Sequence, residues 1–187
     1  MEDRSPFRIL QPLLHHPDPV LRWRAIEAMG IVAACKAETD IEAVRDLIRR
    51  LFWTMNDESG NLIRTAPEAI GEILFRIPGL IPEYVPNLTG FLREEPFERG
   101  VHFALARLAA KNPGAVEPFA GEFIPSLSDP DPYIRAYASF ILKKLSKSEM
   151  IPEKLGLEGK KLEIYDFDSG QIVEIGAEEV LIPATCD

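Results

Sequence analysis

At 187 residues, with 46% hydrophobic and 27% charged side chains, the chain has the composition of a folded domain with a sizeable core. No apolar run approaches the roughly 18 residues of a membrane span, and the start, Met1 to Pro6, lacks the basic-then-apolar pattern of a secretory signal, so a cytoplasmic protein with no membrane partner is expected. The formal charge of −9 is uneven: residues 1–148 carry 18 basic against 20 acidic side chains and residues 149–187 carry 3 against 10, a balance that disfavours nonspecific attraction to phosphate backbones or anionic lipid.

Ser5 and Pro6 predict a helix start, because a hydroxyl accepts an orphan amide and the proline ring already holds helical φ. The helix is expected to run to about His15 with Ile9, Leu10, Leu13 and Leu14 on its apolar face. Pro17 and Pro19 interrupt it, and Asp18 caps a second helix with Leu21, Ala25, Ala28, Met29 and Val32 inward. Thr39-Asp40-Ile41-Glu42 has a capping-box pattern and opens a helix with Val44, Leu47, Ile48, Leu51 and Phe52 buried. After the turn at Asn56 to Gly60, Leu62 to Phe75 forms its partner, with Ala66, Ala69, Ile70 and Ile73 inward. Ile81 to Leu92 then pairs with Phe97 to Lys111, and Val116 to Leu127 with Tyr133 to Leu145. Pro82, Pro86, Pro118 and Pro125 predict kinked or shortened first helices in these last two pairs.

The pairing repeats. Asp18-Pro19-Val20-Leu21-Arg22 returns as Asp131-Pro132-Tyr133-Ile134-Arg135, 113 residues later, which is three periods of about 38, the spacing of two-helix solenoid repeats. These segments, and Ala66-Pro67-Glu68-Ala69-Ile70-Gly71 more distantly, resemble the second helices of HEAT repeats, particularly the short HEAT-like type also found in phycobilin lyases. The resemblance covers residues 5–148 and implies an all-α, right-handed α-α superhelix of about four helical pairs. Beyond it, residues 149–187 form an acidic extension in which Leu162 to Tyr165 and Ile172 to Ile175, flanking Asp166 to Gly170, predict a β-hairpin. Such a hairpin is marginal alone. It is expected to fold against the body, capping the open end, since exposed terminal repeats need a polar cover, or alternatively partly covering the concave face.

In stacked repeats the second helices line a concave binding surface. The positions off the core stripe are Trp23, Arg24 and Glu27, then Arg64 and Glu68, then Arg99, Phe103 and Arg107, and finally Tyr137 and Lys144. Trp, Tyr and Arg dominate binding hot spots, so this set is the expected partner face, although Trp23 could equally pack on a neighbouring repeat. Arg22 and Arg135 stand four residues after Asp18 and Asp131 and are expected to pair with them. Trp53 with Asn56, Asp57 and Glu58 could line a small edge pocket or simply pack.

His15, His16 and His102 show no metal-ligand spacing. Asp166, Asp168 and Gly170 suit a hairpin turn better than a calcium loop, which would need a bidentate Glu that is missing. Cys35 and Cys186 form no metal or redox motif, and Cys35 is expected to be a buried thiol. No catalytic residue, cofactor or metal is expected. The resulting expectation is a noncatalytic scaffold or adaptor that binds a protein partner on the concave face, nucleic acid being a poor partner. The resemblance also admits an alkylated-base glycosylase-like or chromophore-lyase-like alternative, for which a basic footprint or a placed catalytic motif is wanting.

Overall fold

The computed structural model describes residues 6–56 and 62–180. It is mostly helical and ends in a two-stranded antiparallel hairpin. Helix α1 (Pro6–Leu13) leads into α2 (Pro19–Ala37), followed by α3 (Ile41–Met55) and α4 (Ala66–Arg76). A 3-10 turn at Pro78–Leu80 precedes α5 (Ile81–Thr89), and α6 (Glu98–Lys111) follows. The stretch expected to be the first helix of the fourth pair is instead three 3-10 segments between Pro113 and Ser128. Pro118 and Pro125 each lack the amide that a continuous α-helix would use, and each stands in the first two positions of its own 3-10 segment, where no intrahelical amide is needed. Helix α7 is Pro132–Lys144.

Helices α2, α4, α6 and α7 pack one on the next, while α3 lies against both α2 and α4. The core between them contains the predicted stripe of α3, with Val44, Leu47, Ile48 and Leu51 almost fully buried, and that of α4 with Ala66, Ala69, Ile70 and Ile73. In α2 the buried face is Ala25, Ile26, Met29, Gly30 and Ala33, so the stripe is rotated from the expected one and Leu21 is 42% exposed. Ile9 and Leu13 of α1 also face outward, because α1 packs chiefly on α2 at the edge of the body. Cys35 is exposed, contrary to the expectation of a buried thiol, since it lies on the outer side of the rotated α2. Cys186, Ser5, Asp57 and Glu58 lie outside the described residues.

The duplicated Asp-Pro motif has the same local structure in both places. Asp18 accepts from the amides of Val20 and Leu21, and Asp131 from that of Tyr133, so each caps its helix. The arginine four residues later does not pair with that aspartate, which is already committed to the cap. Arg22 Nη1 donates to the carbonyl of His16 at 2.7 Å and reaches that of Pro17, six and five residues back. Arg135 Nη1 makes the same pair of bonds to Asp129 and Pro130. Each arginine thus ties down the loop that enters its own helix.

Strands β1 (Lys161–Asp166) and β2 (Gln171–Gly176) pair in register from Lys161 opposite Gly176 to Asp166 opposite Gln171. The connecting turn has Gly170 at φ +64° and an Asp166 carboxylate that accepts from the amides of Asp168 and Ser169 and from the Ser169 hydroxyl. Asp166 is therefore a turn-former, its carboxyl held below the usual carboxylate range chiefly by the Ser169 hydroxyl.

Candidate functional site

The hairpin lies against side chains of α2, α6 and α7. Its Tyr165 ring stacks on Trp23 with centroids 5.6 Å apart and planes 5° from parallel, and Phe167 from the turn stacks on Phe103 at 6.4 Å. Trp23 in turn meets Phe103 edge-on at 4.7 Å. Such aromatic pairs add attraction beyond the area they bury. Polar contacts fix the register. The Tyr165 hydroxyl donates to Glu27 at 2.7 Å, Arg24 Nε donates to the carbonyl of Gly170 at 3.1 Å, and the Glu163 amide donates to the Tyr133 hydroxyl at 3.0 Å. At the other end Arg135 Nη2 donates to the carbonyl of Gly156, so the segment leading to the hairpin is held as well.

Beneath the aromatic layer sits a buried ionic group. Glu72 of α4 and Arg107 of α6 are both inaccessible, and Arg107 Nε donates to Glu72 Oε2 at 3.0 Å while Arg76 donates to Oε1 at 2.8 Å. The Arg107 guanidinium lies between the faces of Phe75 at 3.7 Å and Phe167 at 4.0 Å. Phe167 is thus the lid of a cation-π sandwich, and the docked hairpin completes the burial of the pair.

A second buried carboxyl lies nearby on α4. Glu68 is half-buried and its Oε2 is sealed from solvent without a hydrogen-bond partner. Burial pushes its carboxyl up to about 7, against a hydrogen bond from its own backbone amide and the pull of Arg22 and Arg99. Both α4 glutamates are seated by a missing side chain on a neighbouring helix: a Cβ at Gly30 would stand 2.7 Å from Glu72 Cγ, and one at Gly100 would collide with the Glu68 carboxyl, 2.7 Å from its Cδ. Glycine at these two positions lets the carboxylates approach the backbone.

Of the residues the sequence assigns to the partner face, Trp23, Arg24, Glu27, Phe103 and Arg107 touch the hairpin directly. Glu68, Arg99 and Tyr137 border a cavity of about 230 Å³ beside it. Phe103 is 6% exposed, Tyr137 5% and Arg107 not at all, so an outside partner reaches these side chains only if the hairpin moves. Arg99 pairs with Asp131 at 2.7 Å and its guanidinium lies 4.1 Å from the Tyr133 ring centroid. Arg64 is exposed in the turn before α4 and does not border the cavity. Lys144 stands over Phe140, away from the cluster. Trp53 is 67% exposed, and Asn56 bonds back to the Phe52 carbonyl.

Sequence reasoning took Glu72 for a carboxylate on a solvated helix face, whereas it is inaccessible, and it passed over Tyr133, Tyr165 and Phe167 as site residues. Tyr133 was detectable one helical turn before Tyr137, whereas Phe167 reads from the sequence only as a turn residue. His102 is buried, its Nδ1 2.7 Å from the Glu98 carbonyl and its Nε2 2.8 Å from the Ser126 hydroxyl, and burial holds its pKa below the usual histidine value. Its role is to tie α6 to the 3-10 segment. Among the described residues no group of three His, Cys, Asp or Glu side chains is placed to hold a metal ion, and no helix is long and apolar enough to cross a membrane.

No protein-family model and no solved structure matches the chain. It is similar to a protein of Archaeoglobus fulgidus described as uncharacterized, with 28% identity over 193 residues that cover 100% of this chain and 99% of the other, so the similarity spans the helical body and the hairpin segment together.

Proposed function

We propose that the chain is a noncatalytic protein-binding scaffold, a cytoplasmic HEAT-like α-α superhelix whose inner face is held closed by its own hairpin. Two features support the repeat reading: the shared cap-and-arginine device at Asp18/Arg22 and Asp131/Arg135, and the row in which α2, α4, α6 and α7 pack in succession. The observation that carries the function is the docking itself. The inner face holds a peptide segment through Trp23, Phe103 and Arg107, the residue types that make binding hot spots. A partner segment with two aromatic side chains at similar spacing would compete for the same places.

The test is a full chain carrying a photo-crosslinking side chain at position 103, compared with one carrying it at Trp53. Each is made with the natural hairpin and with Tyr165→Ser and Phe167→Ser together. A discrete protein crosslinked at 103 in the serine variant, weaker with the natural hairpin and missing at 53, is the expected result. Equal labelling at 103 and 53, or none at 103 with the hairpin released, overturns the scaffold reading.

A further inference from the structure

A cavity of about 340 Å³ is bordered by α1, the end of α2 and α3, and no residue of the hairpin or of the face it touches takes part in it. Phe7 and Leu47 supply apolar surface, Arg8 and Gln11 of α1 and Arg50 of α3 supply hydrogen-bond donors, and Lys36 and Asp46 complete its charges. Arg8 and Arg50 are exposed, so a ligand reaches both without any segment moving.

The partners of the arginines set this place apart. Among the described residues every arginine except Arg8, Arg50 and Arg64 has a carboxylate or a backbone carbonyl to donate to. Arg8 and Arg50 border the same cavity, and Arg64 lies elsewhere. In a chain with 30 acidic against 21 basic side chains, cations left without an anion are the exception. The other charges at the cavity cancel, because Lys36 pairs with Asp40 at 3.2 Å and Asp46 pairs with Arg49. Two guanidinium groups on different helices are thus left without a counter-ion beside an apolar surface.

That arrangement selects its ligand by charge and by number of acceptors. A carboxylate brings one charge and two oxygens, enough for one guanidinium fork. A phosphate monoester brings a charge of about −1.5 to −2 and three strong acceptor oxygens, enough for two forks. At about 30 Å³ for each water-sized group the cavity holds about eleven of them, which is a phosphate with a small organic group attached. We propose that this cavity binds a small soluble phosphate monoester, its oxygens accepting from Arg8 and Arg50 and its organic group resting on Phe7 and Leu47. The site stands apart from the scaffold reading, since no hairpin residue borders it.

The probe is phenyl phosphate, titrated calorimetrically into the full chain, with phenyl sulfate as a counterpart of the same shape and smaller charge. Saturable binding of phenyl phosphate is expected, and phenyl sulfate is expected to bind about tenfold more weakly. Arg8→Ala and Arg50→Ala should each weaken phenyl phosphate by about tenfold or more. Arg64→Ala, which removes the other unpartnered arginine, should leave it unchanged. All three side chains are exposed, so the substitutions are expected to spare the fold, and the phosphate-against-sulfate comparison needs no variant at all. No saturation by phenyl phosphate, equal binding of the sulfate, or an equal loss in Arg64→Ala overturns the proposal. Phosphatidylcholine vesicles with and without phosphatidate distinguish the sources of such a group. Phenyl phosphate binding without cosedimentation supports a soluble ligand. Cosedimentation with phosphatidate vesicles that is lost in Arg50→Ala, while phenyl phosphate does not bind, assigns the phosphate to a lipid headgroup and overturns it.

Discussion

The two glutamates of α4 are four residues apart and live in opposite circumstances. Glu72 is shared by Arg76 and Arg107, each of its oxygens accepting from one of them, so removing it withdraws the carboxylate from a fully buried guanidinium. Glu72→Ala is expected to destabilise the fold by about 3–5 kcal/mol, read as a lowered urea midpoint. Glu68 is the reverse case. Its carboxyl is raised from 4.5 to about 7, so its stabilising protonated form is fully present below about pH 4.5 and is lost as pH rises through about 7. Glu68→Gln is therefore expected to stabilise the chain at about pH 8, by about 3 kcal/mol at most, and to leave it nearly unchanged at about pH 4.5. Thermal melts at the two pH values check the sign, and a variant less stable than the parent at the higher pH contradicts it. His102 works in the other direction, with its pKa lowered by burial. Its contribution is present above about 6.5 and is lost as pH falls through the lowered folded-state value.

Among the elements, the two copies of the Asp-Pro corner show what the sequence conveys and what it hides. The caps and helix starts at Pro19 and Pro132 were legible, because a side-chain acceptor followed by proline has a single local solution. So were the hairpin strands, to within a residue at each end. The arginines were not, since spacing suggested Asp18 to Arg22, whereas the carbonyls of His16 and Pro17 are the nearer unsatisfied acceptors once Asp18 turns to the helix amides. The 3-10 stretch after Pro113 was legible only as an interrupted helix. Arg22→Ala and Arg135→Ala are expected each to cost about 1–3 kcal/mol. The second should cost more, because Arg135 also holds the Gly156 carbonyl and is 8% exposed. Guanidinium chloride melts of the two variants measure the difference, and equal losses would show that the Gly156 bond contributes nothing.

For the molecule as a whole, the question is what the hairpin does to the face it covers. The candidate residues were legible as a set, because aromatic and arginine side chains off the core stripe point to one side of successive helices. Their covered state was legible only as one of two placements for the tail, since the segment that covers them lies 138 residues away in the case of Tyr165 and Glu27, and no local pattern encodes such a contact. The hairpin is attached by stacking on Trp23 and Phe103, by the cation-π contact of Phe167 with Arg107, and by the three hydrogen bonds to Glu27, Arg24 and Tyr133. A two-stranded hairpin has little stability of its own, so removing the two rings should release it as a unit rather than loosen it by degrees. In a Trp53→Phe chain, Tyr165→Ser with Phe167→Ser is therefore expected to make Trp23 accessible to acrylamide quenching and to speed amide exchange across residues 161–176, while amides of α4 and α6 stay protected. The Glu72 pair predicts a limit on this freedom. Loss of Phe167 admits water to Arg107, so the released state should also show a lower melting temperature. If quenching and exchange matched the parent, the aromatic contacts would not be what holds the face closed. If α4 and α6 exchanged as fast as the hairpin, the tail would be part of the fold's cooperative core and could not serve as a lid.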